Sequence, residues 1–475
     1  MIIMEFNSVE FINIFFPVCL LFCSIYPQKG GYILLLFSSI FYAWNSTIGF
    51  FLLILSVIVV HNFKKQEISS NISKILLVIF LVLPFIFFRS STSLIKLIPI
   101  LSEINKNYPE SLILPAGVSF YTFQLIGYLF DRDHESKKTT FKESLLFILF
   151  FPQLIAGPIE RAKDLIPQIK YLFSKGILFN KINIQKGLYL ISLGLFLKTF
   201  FSDYLASKFL GDFYKNGTYA ALTHIFSNGM VIYFDFLGYT LIALGLARFF
   251  NLSLTLNFKR PYASICVAEF WRRWHITLTS WFKDYIYKPI ASTYNYSKII
   301  VFFSTFIVFI LTAQWHGFGF RFLIWGISHF FLVILSRKIS PYCKNIYSKY
   351  FLWFISFSCI NFLWLFFFYD LEKSMEIFTQ VFNYKSFDLN IFSKSVILFL
   401  PIALFASLLI DPEEIVSYPE TIEKGSNNLV IFAGISKKFT RIFLKITHNT
   451  FFSMIFILAS IAFFSYSRTF VYFRF

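Results

Sequence analysis

Twelve windows of this chain are apolar over about the length that crosses a bilayer, and their recurrence limits the fold more than any other feature. They fall near residues 9–27, 31–60, 75–88, 111–130, 143–157, 187–201, 222–247, 299–315, 318–336, 351–369, 392–410 and 450–466. A helix rises ~1.5 Å per residue, so a hydrocarbon core of ~30 Å takes about 20 apolar residues. With 57% of its 475 residues hydrophobic and 14% charged, the chain carries more apolar surface than a soluble domain of that size hides from water. The sequence therefore reads as all-α: a polytopic integral membrane protein, a single membrane domain over residues 1–475, with some windows broken or re-entrant.

The formal charge of +18 comes from cations scattered between the apolar runs. A nucleic-acid surface would gather them on one soluble face, so no nucleic-acid partner is expected. The start of the chain carries Glu5 and Glu10 and no basic residue before its first apolar run, as a retained membrane helix would rather than a cleaved signal. Cys19, Cys23, Cys266, Cys343 and Cys359 lack paired metal-type spacing, and the histidines are not grouped with other ligands, so no metal and no bound cofactor are expected.

Chemistry concentrates between Arg260 and Phe330. The run FWRRWHITLTSWFKDYIYKP (Phe270–Pro289) is amphipathic on a helical wheel. Trp271, Trp274, Leu278, Trp281, Phe282 and Tyr285 share one arc with His275 at its edge, and Arg273, Ser280 and Asp284 lie opposite. Such a helix suits the headgroup layer, either as an interfacial anchor with His275 a hydrogen-bonded bystander or as part of a site. Further on, Ile299–Ser336 is apolar except for Gln314, His316, Arg321 and His329. One unbroken helix of that length would reach about 55 Å against a core of ~30 Å, so it must break, and Gly317 and Gly319 are the available breakers. Two arrangements follow: a surface turn with His316 solvated, or a break that leaves His316 within the hydrocarbon, where ionisable groups mark functional sites.

WRRWHITLTSWFKDYIY followed about forty residues later by QWHG resembles the membrane-bound O-acyltransferases (MBOAT), in the bacterial alginate O-acetyltransferase AlgI-like branch and more distantly the teichoic-acid D-alanylation (DltB-like) proteins. LPAGVSFYTFQLIGYLFD (Leu114–Asp131), FPQLIAGPIERAKDLIPQI (Phe151–Ile169), YFDFLGYTLIALGLARFFN (Tyr233–Asn251), NFKRPY (Asn257–Tyr262) and the terminal VYFRF are similar to the same family. The alginate branch usually has Ser-Asp where Thr240-Leu241 stand, and Gly-Gly-Asn where Ala291-Ser292-Thr293 stand, so the resemblance leaves the acceptor open.

The resemblance implies about eleven transmembrane helices around a central tunnel, with re-entrant or interfacial helices and a catalytic core at about residues 114–336. It implies an O-acetyltransferase in the bacterial cell (inner) membrane, using acetyl-CoA or another acyl thioester as co-substrate. A periplasmic or extracellular transferase or the glycan itself would receive the acyl group. The family's near-universal histidine falls on His316 and its second histidine on His275. A hydroxyl becomes a good nucleophile when a base takes its proton, a task suited to neutral imidazole. His316 is thus the expected general base, with His275 orienting the reactants or sharing proton transfer. Trp274, Trp315, Gln314, Arg272 and Arg273 are expected to stabilise the oxyanion or hold donor phosphates. Asp235, inside an apolar window, needs a partner or must take up a proton, and a structural pairing with a cation such as Arg248 or one from the tryptophan-rich helix is expected. Two competing functions stay open: D-alanyl transfer from a carrier protein to teichoic acid, and a glycan transporter or flippase built on broken helices.

Overall fold

The computed structural model describes residues 4–66, 70–97, 115–131, 139–383, 394–417, 433–447, 450–466 and 468. The terminal VYFRF and the middle of the segment between Leu97 and Pro115 lie outside them. The described chain is helical and packs as two compact units, Met1–Gly187 with Ala243–Thr255, and Leu188–Ile242 with Leu256–Phe475. Among the described residues seven helices are long and apolar enough to cross a bilayer, or eight if one pair bent by 114° is a single span. Three shorter apolar helices accompany them, Val118–Phe130, Phe399–Leu409 and Phe451–Ala462.

In the first unit the bent pair is α1 (Phe16–Ile25) and α2 (Gly30–Asn45). Tyr26 leaves the helical conformation at φ −124°, ψ 60°, and Pro27, which has no N–H to donate, opens the next turn. Ser46 then swings out to φ −163°, ψ 104° and caps α3 (Thr47–Lys65) by accepting from the Gly49 N–H, so the 31–60 window is two helices. After α4 (Asn71–Leu97) and α5 (Val118–Phe130), the 143–157 window yields no single span. Helix α6 (Phe141–Leu149) ends at Phe150, at φ −51°, ψ 107°, and only one turn, Phe151–Leu154, follows around Pro152. Before α7 (Ala162–Lys175), buried Glu160 accepts from the backbone N–H and the hydroxyl of Thr255, pinning the GPIER loop to the Phe249–Thr255 connection.

The second unit holds the chemistry. Helix α8 (Lys181–Phe196) opens into a wide turn, Leu197–Asp203, before α9 (Tyr204–Phe209), and α10 (Thr218–Phe249) is buried along its whole most apolar window. Gly194 of α8 and Gly238 of α10 let the two backbones touch, since a Cβ on either would stand 2.7 Å from the other's carbonyl oxygen. Helices α11 (Val267–Arg273), α12 (Ile276–Phe282) and α13 (Lys288–Thr293) are short; α14 (Lys298–His316), α15 (Phe320–Ile339) and α16 (Ile346–Phe368) are spanning.

The Ile299–Ser336 stretch breaks where its glycines stand. α14 ends at His316, and a Cβ on Gly317 would lie 2.2 Å from the Phe322 ring, so glycine lets the returning α15 fold tightly over the end of α14. The two then pack closely, and a Cβ on Gly326 would meet the Ala313 methyl at 2.7 Å and the Phe309 carbonyl oxygen at 2.9 Å.

Candidate active site

The tryptophan-rich segment is not one amphipathic helix. It breaks at Trp274–His275, with Trp274 extended and His275 left-handed at φ 43°, ψ 57°. A non-glycine residue holds that conformation when its surroundings over-determine it. Here the clamp is Asn257–Lys259, in the NFKRPY motif. Lys259 N–H donates to Arg273 O at 3.0 Å, and Ile276 N–H donates to Asn257 O at 2.9 Å. The Thr277 hydroxyl donates to Asn257 Oδ1 at 2.7 Å, so both flanks of the break are tied to one strip of backbone. Helical periodicity carries no record of that long-range pairing, which is why the wheel shows a continuous helix.

The break turns His275 into the protein. Its ring is buried and stands edge-on to Phe236 with centroids 4.7 Å apart. Burial pushes its imidazole down from the ordinary 6.5 to about 3, so it is neutral at physiological pH. His316 ends α14, also buried, packed against Trp315 at 4.5 Å, Phe367 at 4.7 Å and Trp325 at 5.4 Å. Trp315 bridges the two histidines, with its ring 6.2 Å from that of His275.

Both histidines line one cavity of about 310 Å³, together with Trp271, Arg272, Trp274, Thr279, Lys283, Tyr287 and Arg337. From α14 it is lined by Thr305, Val308, Phe309, Thr312 and His316, one face of the helix at a spacing of three to four residues. Eleven residues at ~1.5 Å make that stripe about 16 Å long, so the cavity is a shaft along α14 with His316 at one end. The exposed cations Arg272, Lys283 and Arg337 line it, and among the described residues no Asp or Glu does.

Among the residues named from sequence, the shaft thus brings together His275, His316, Trp274 and Arg272. Trp315 packs beside the two rings without lining it, and Gln314, two residues before His316, is half-buried. Arg273 is turned away, its Nε donating to Glu269 Oε1 at 2.8 Å and its Nη1 to Lys259 O at 3.0 Å. Arg272 shares that buried carboxylate, donating to Oε2 at 2.7 Å. Asp235 is apart from the shaft. Its partner is Lys198, 2.9 Å away, rather than Arg248 or an arginine of the tryptophan-rich segment, and Lys198 also donates to Asp203 at 2.8 Å. Lys198 sits inside an apolar window, and only the packing of α8 on α10 marks it as the counter-ion. Among the described residues no group of three His, Cys, Asp or Glu is placed to hold a metal ion.

The sequence model of the MBOAT, membrane-bound O-acyltransferase family, matches residues 127–375, just over half of the chain and all of the shaft. The chain belongs to the membrane-bound O-acyltransferase family. Its apolar helices and this membership make it a multi-pass membrane protein. It is 34% identical over 290 residues to the peptidoglycan O-acetyltransferase of Helicobacter pylori, covering 54% of this chain and 54% of that protein. It is 30% identical over 286 residues to the probable alginate O-acetylase AlgI of Pseudomonas aeruginosa, covering 59% and 54%. With the teichoic acid D-alanyltransferase of Bacillus subtilis it shares 29% over 278 residues, covering 54% and 65%. The chain spans about half the length of the first two relatives and somewhat more of the third.

Within this MBOAT chain, sequence reasoning passed over Lys283, Arg337, Thr305 and Thr312, although the helical stripe Thr305–Thr312–His316 is written in the sequence. It also passed over Asn257, whose role depends on a contact across 20 residues. Of the remaining histidines, His61 is half-buried beside the Ser144 hydroxyl at 3.0 Å, and His224 is fully buried against Tyr214 and Tyr369. His134 and His448 lie outside the described residues.

Proposed function

We propose that this MBOAT protein is an acyltransferase that moves an acetyl group from a cytoplasmic thioester, acetyl-CoA, toward a hydroxyl of a polysaccharide outside the bacterial inner membrane. The lining of the shaft carries the proposal: cations and no carboxylate, with two buried imidazoles. A donor whose phosphates meet Arg272, Lys283 and Arg337 would thread its arm along the threonine stripe toward His316. Charge supports a cytoplasmic mouth. Lys283, Lys288 and Lys298, at or before the start of α14, and Arg337, Lys338, Lys344 and Lys349, from the last turn of α15 to the first turn of α16, share one side of the hairpin with a single acid, Asp284.

In the chemical step, His316 takes the proton of the attacking hydroxyl as its oxygen forms a bond to the thioester carbonyl. The tetrahedral intermediate collapses, the C–S bond breaks, and the proton passes from the imidazolium to the leaving thiolate. His275, neutral, orients the reactants. Trp274, Trp315 and Gln314 are the donors we assign to the oxyanion and its surroundings, and Arg272 to the donor's phosphates. Up to eight candidate spans with three shorter apolar helices support about eleven crossings. A periplasmic or extracellular transferase would relay the acetyl group to its glycan. No bound cofactor takes part in this scheme.

Two of the relatives described are named for acetyl transfer to or acetylation of a polysaccharide, which favours acetyl. The third is named for D-alanyl transfer to teichoic acid, and that remains the second reading. Radiolabelled acetyl-CoA supplied to inside-out membrane vesicles tests the choice. Label transferred to glycan or protein in wild type and lost in His316→Ala supports the proposal; equal transfer by both overturns the role of His316. Label transferred only from a D-alanyl carrier overturns acetyl.

A further inference from the structure

Behind the shaft lies a histidine that the chemistry above does not use. His329 projects from the middle of α15, is fully buried, and accepts a hydrogen bond at its Nδ1 from the Trp271 indole N–H at 3.3 Å. The two rings are perpendicular with centroids 5.0 Å apart, so the indole is held by its polar edge as well as its face. Two turns along the same face of α15, the Ser336 hydroxyl accepts from Ala268 N–H at 3.1 Å. Helix α11, only seven residues long, is therefore suspended from α15 at two points. Ala268 and Trp271 both line the shaft, and the Trp271 indole stands beside Phe309, 5.8 Å from its ring.

We infer that His329 is a positioning residue, which through Trp271 sets the width of the shaft and hence the fit of the donor's arm. The inference rests on the acyltransferase reading given above. Trp325 couples the same group to the reacting end, with its ring 4.9 Å from His329, 5.5 Å from Trp271 and 5.4 Å from His316. An aliphatic side chain at position 329 would leave the Trp271 N–H without its acceptor, and the indole would be expected to swing toward the shaft, where it finds water. Asparagine places an acceptor oxygen near the position of Nδ1 and would keep the indole in place.

The test uses the full-length protein in membrane vesicles, with radiolabelled acetyl-CoA as donor and endogenous acceptors. Expected results are that His329→Leu and Trp271→Phe each raise KM for acetyl-CoA at least tenfold while kcat changes less than about threefold. His329→Asn stays within about threefold of wild type in both, and the Leu/Phe double variant is no worse than either single one. The pH profile stays that of wild type throughout. His329→Leu at wild-type KM overturns the inference, as does His329→Asn with the same loss as Leu and a shifted pH profile, since that would put His329 in proton transfer. Should His329→Leu fail to accumulate, Trp271→Phe and His329→Asn decide the matter by the same criteria. Failure of wild type to transfer acetyl, or transfer undiminished in His316→Ala, would strike the acyltransferase reading instead.

Discussion

Two buried imidazoles share one shaft but differ in surroundings, and their roles should separate accordingly. His316 stands at the end of the α14 stripe that lines the shaft, so His316→Gln should lower kcat by a factor of about 10²–10⁴ with little change in donor KM, the usual contribution of a lost general base. For His275 the sign follows from burial, which lowers its folded-state value to about 3 from 6.5. Between these values an unfolded chain takes up a proton that the folded chain refuses, so this group's contribution to stability is lost as pH falls from about 6.5 toward 3. His275→Asn should flatten that acid dependence in a thermal melt of the detergent-solubilised protein. The acid limb of the activity profile should stay where it was, because His275 does not titrate there. Glu160 behaves oppositely to an ordinary carboxylate: burial raises its value from 4.5 to about 7, ahead of the lowering by Thr255. The folded state then holds the extra proton, and stability falls as pH rises through that interval. Glu160→Gln should remove this slope from the melting curve.

Between elements, the decisive contacts are breaks and close approaches. The left-handed turn at His275 survives because Asn257 binds both residues after it. Asn257→Ala should release the Thr277 hydroxyl and lower activity at least tenfold, with protein yield changed far less, whereas Asn257→Asp keeps the acceptor and should recover most of it. A comparable contact holds α14 against α15. Gly326→Val forces a side chain into space already filled by Ala313 and Phe309, an overpacking of about 1–3 kcal/mol, readable as a lower melting temperature. The glycines that end and return this hairpin were legible in the sequence because a 38-residue apolar run exceeds the bilayer, and Gly317 and Gly319 stand near its middle. The break at His275 was not legible, since its apolar neighbours keep helical spacing and the hydrogen bonds that interrupt them come from another segment.

Across the second unit, the buried Lys198 with Asp203 and Asp235 joins the wide turn after α8 to α10. One ammonium faces two carboxylates, and each is almost fully buried, so none is held by water. Lys198→Met should cost about 3–5 kcal/mol by leaving two buried acids without their cation. The triple variant Lys198→Met, Asp203→Asn, Asp235→Asn should regain much of that in the same melt, and a triple variant as unstable as the single one would count against this account.

The sequence by itself determined the solvent in which this chain folds, the periodic apolar helices, the place where the α14–α15 run had to return, and the family, because each depends on local composition or on ordered motifs. Tertiary structure alone decided that Trp274–His275 interrupts a helix, that Arg273 serves Glu269 while Lys283 and Arg337 line the shaft, and that Asp235 answers to Lys198. The physical reason is common to all three. Hydrogen bonds and ion pairs between residues far apart in the chain are worth making only where burial has removed water, and burial is a property of packing rather than of sequence order.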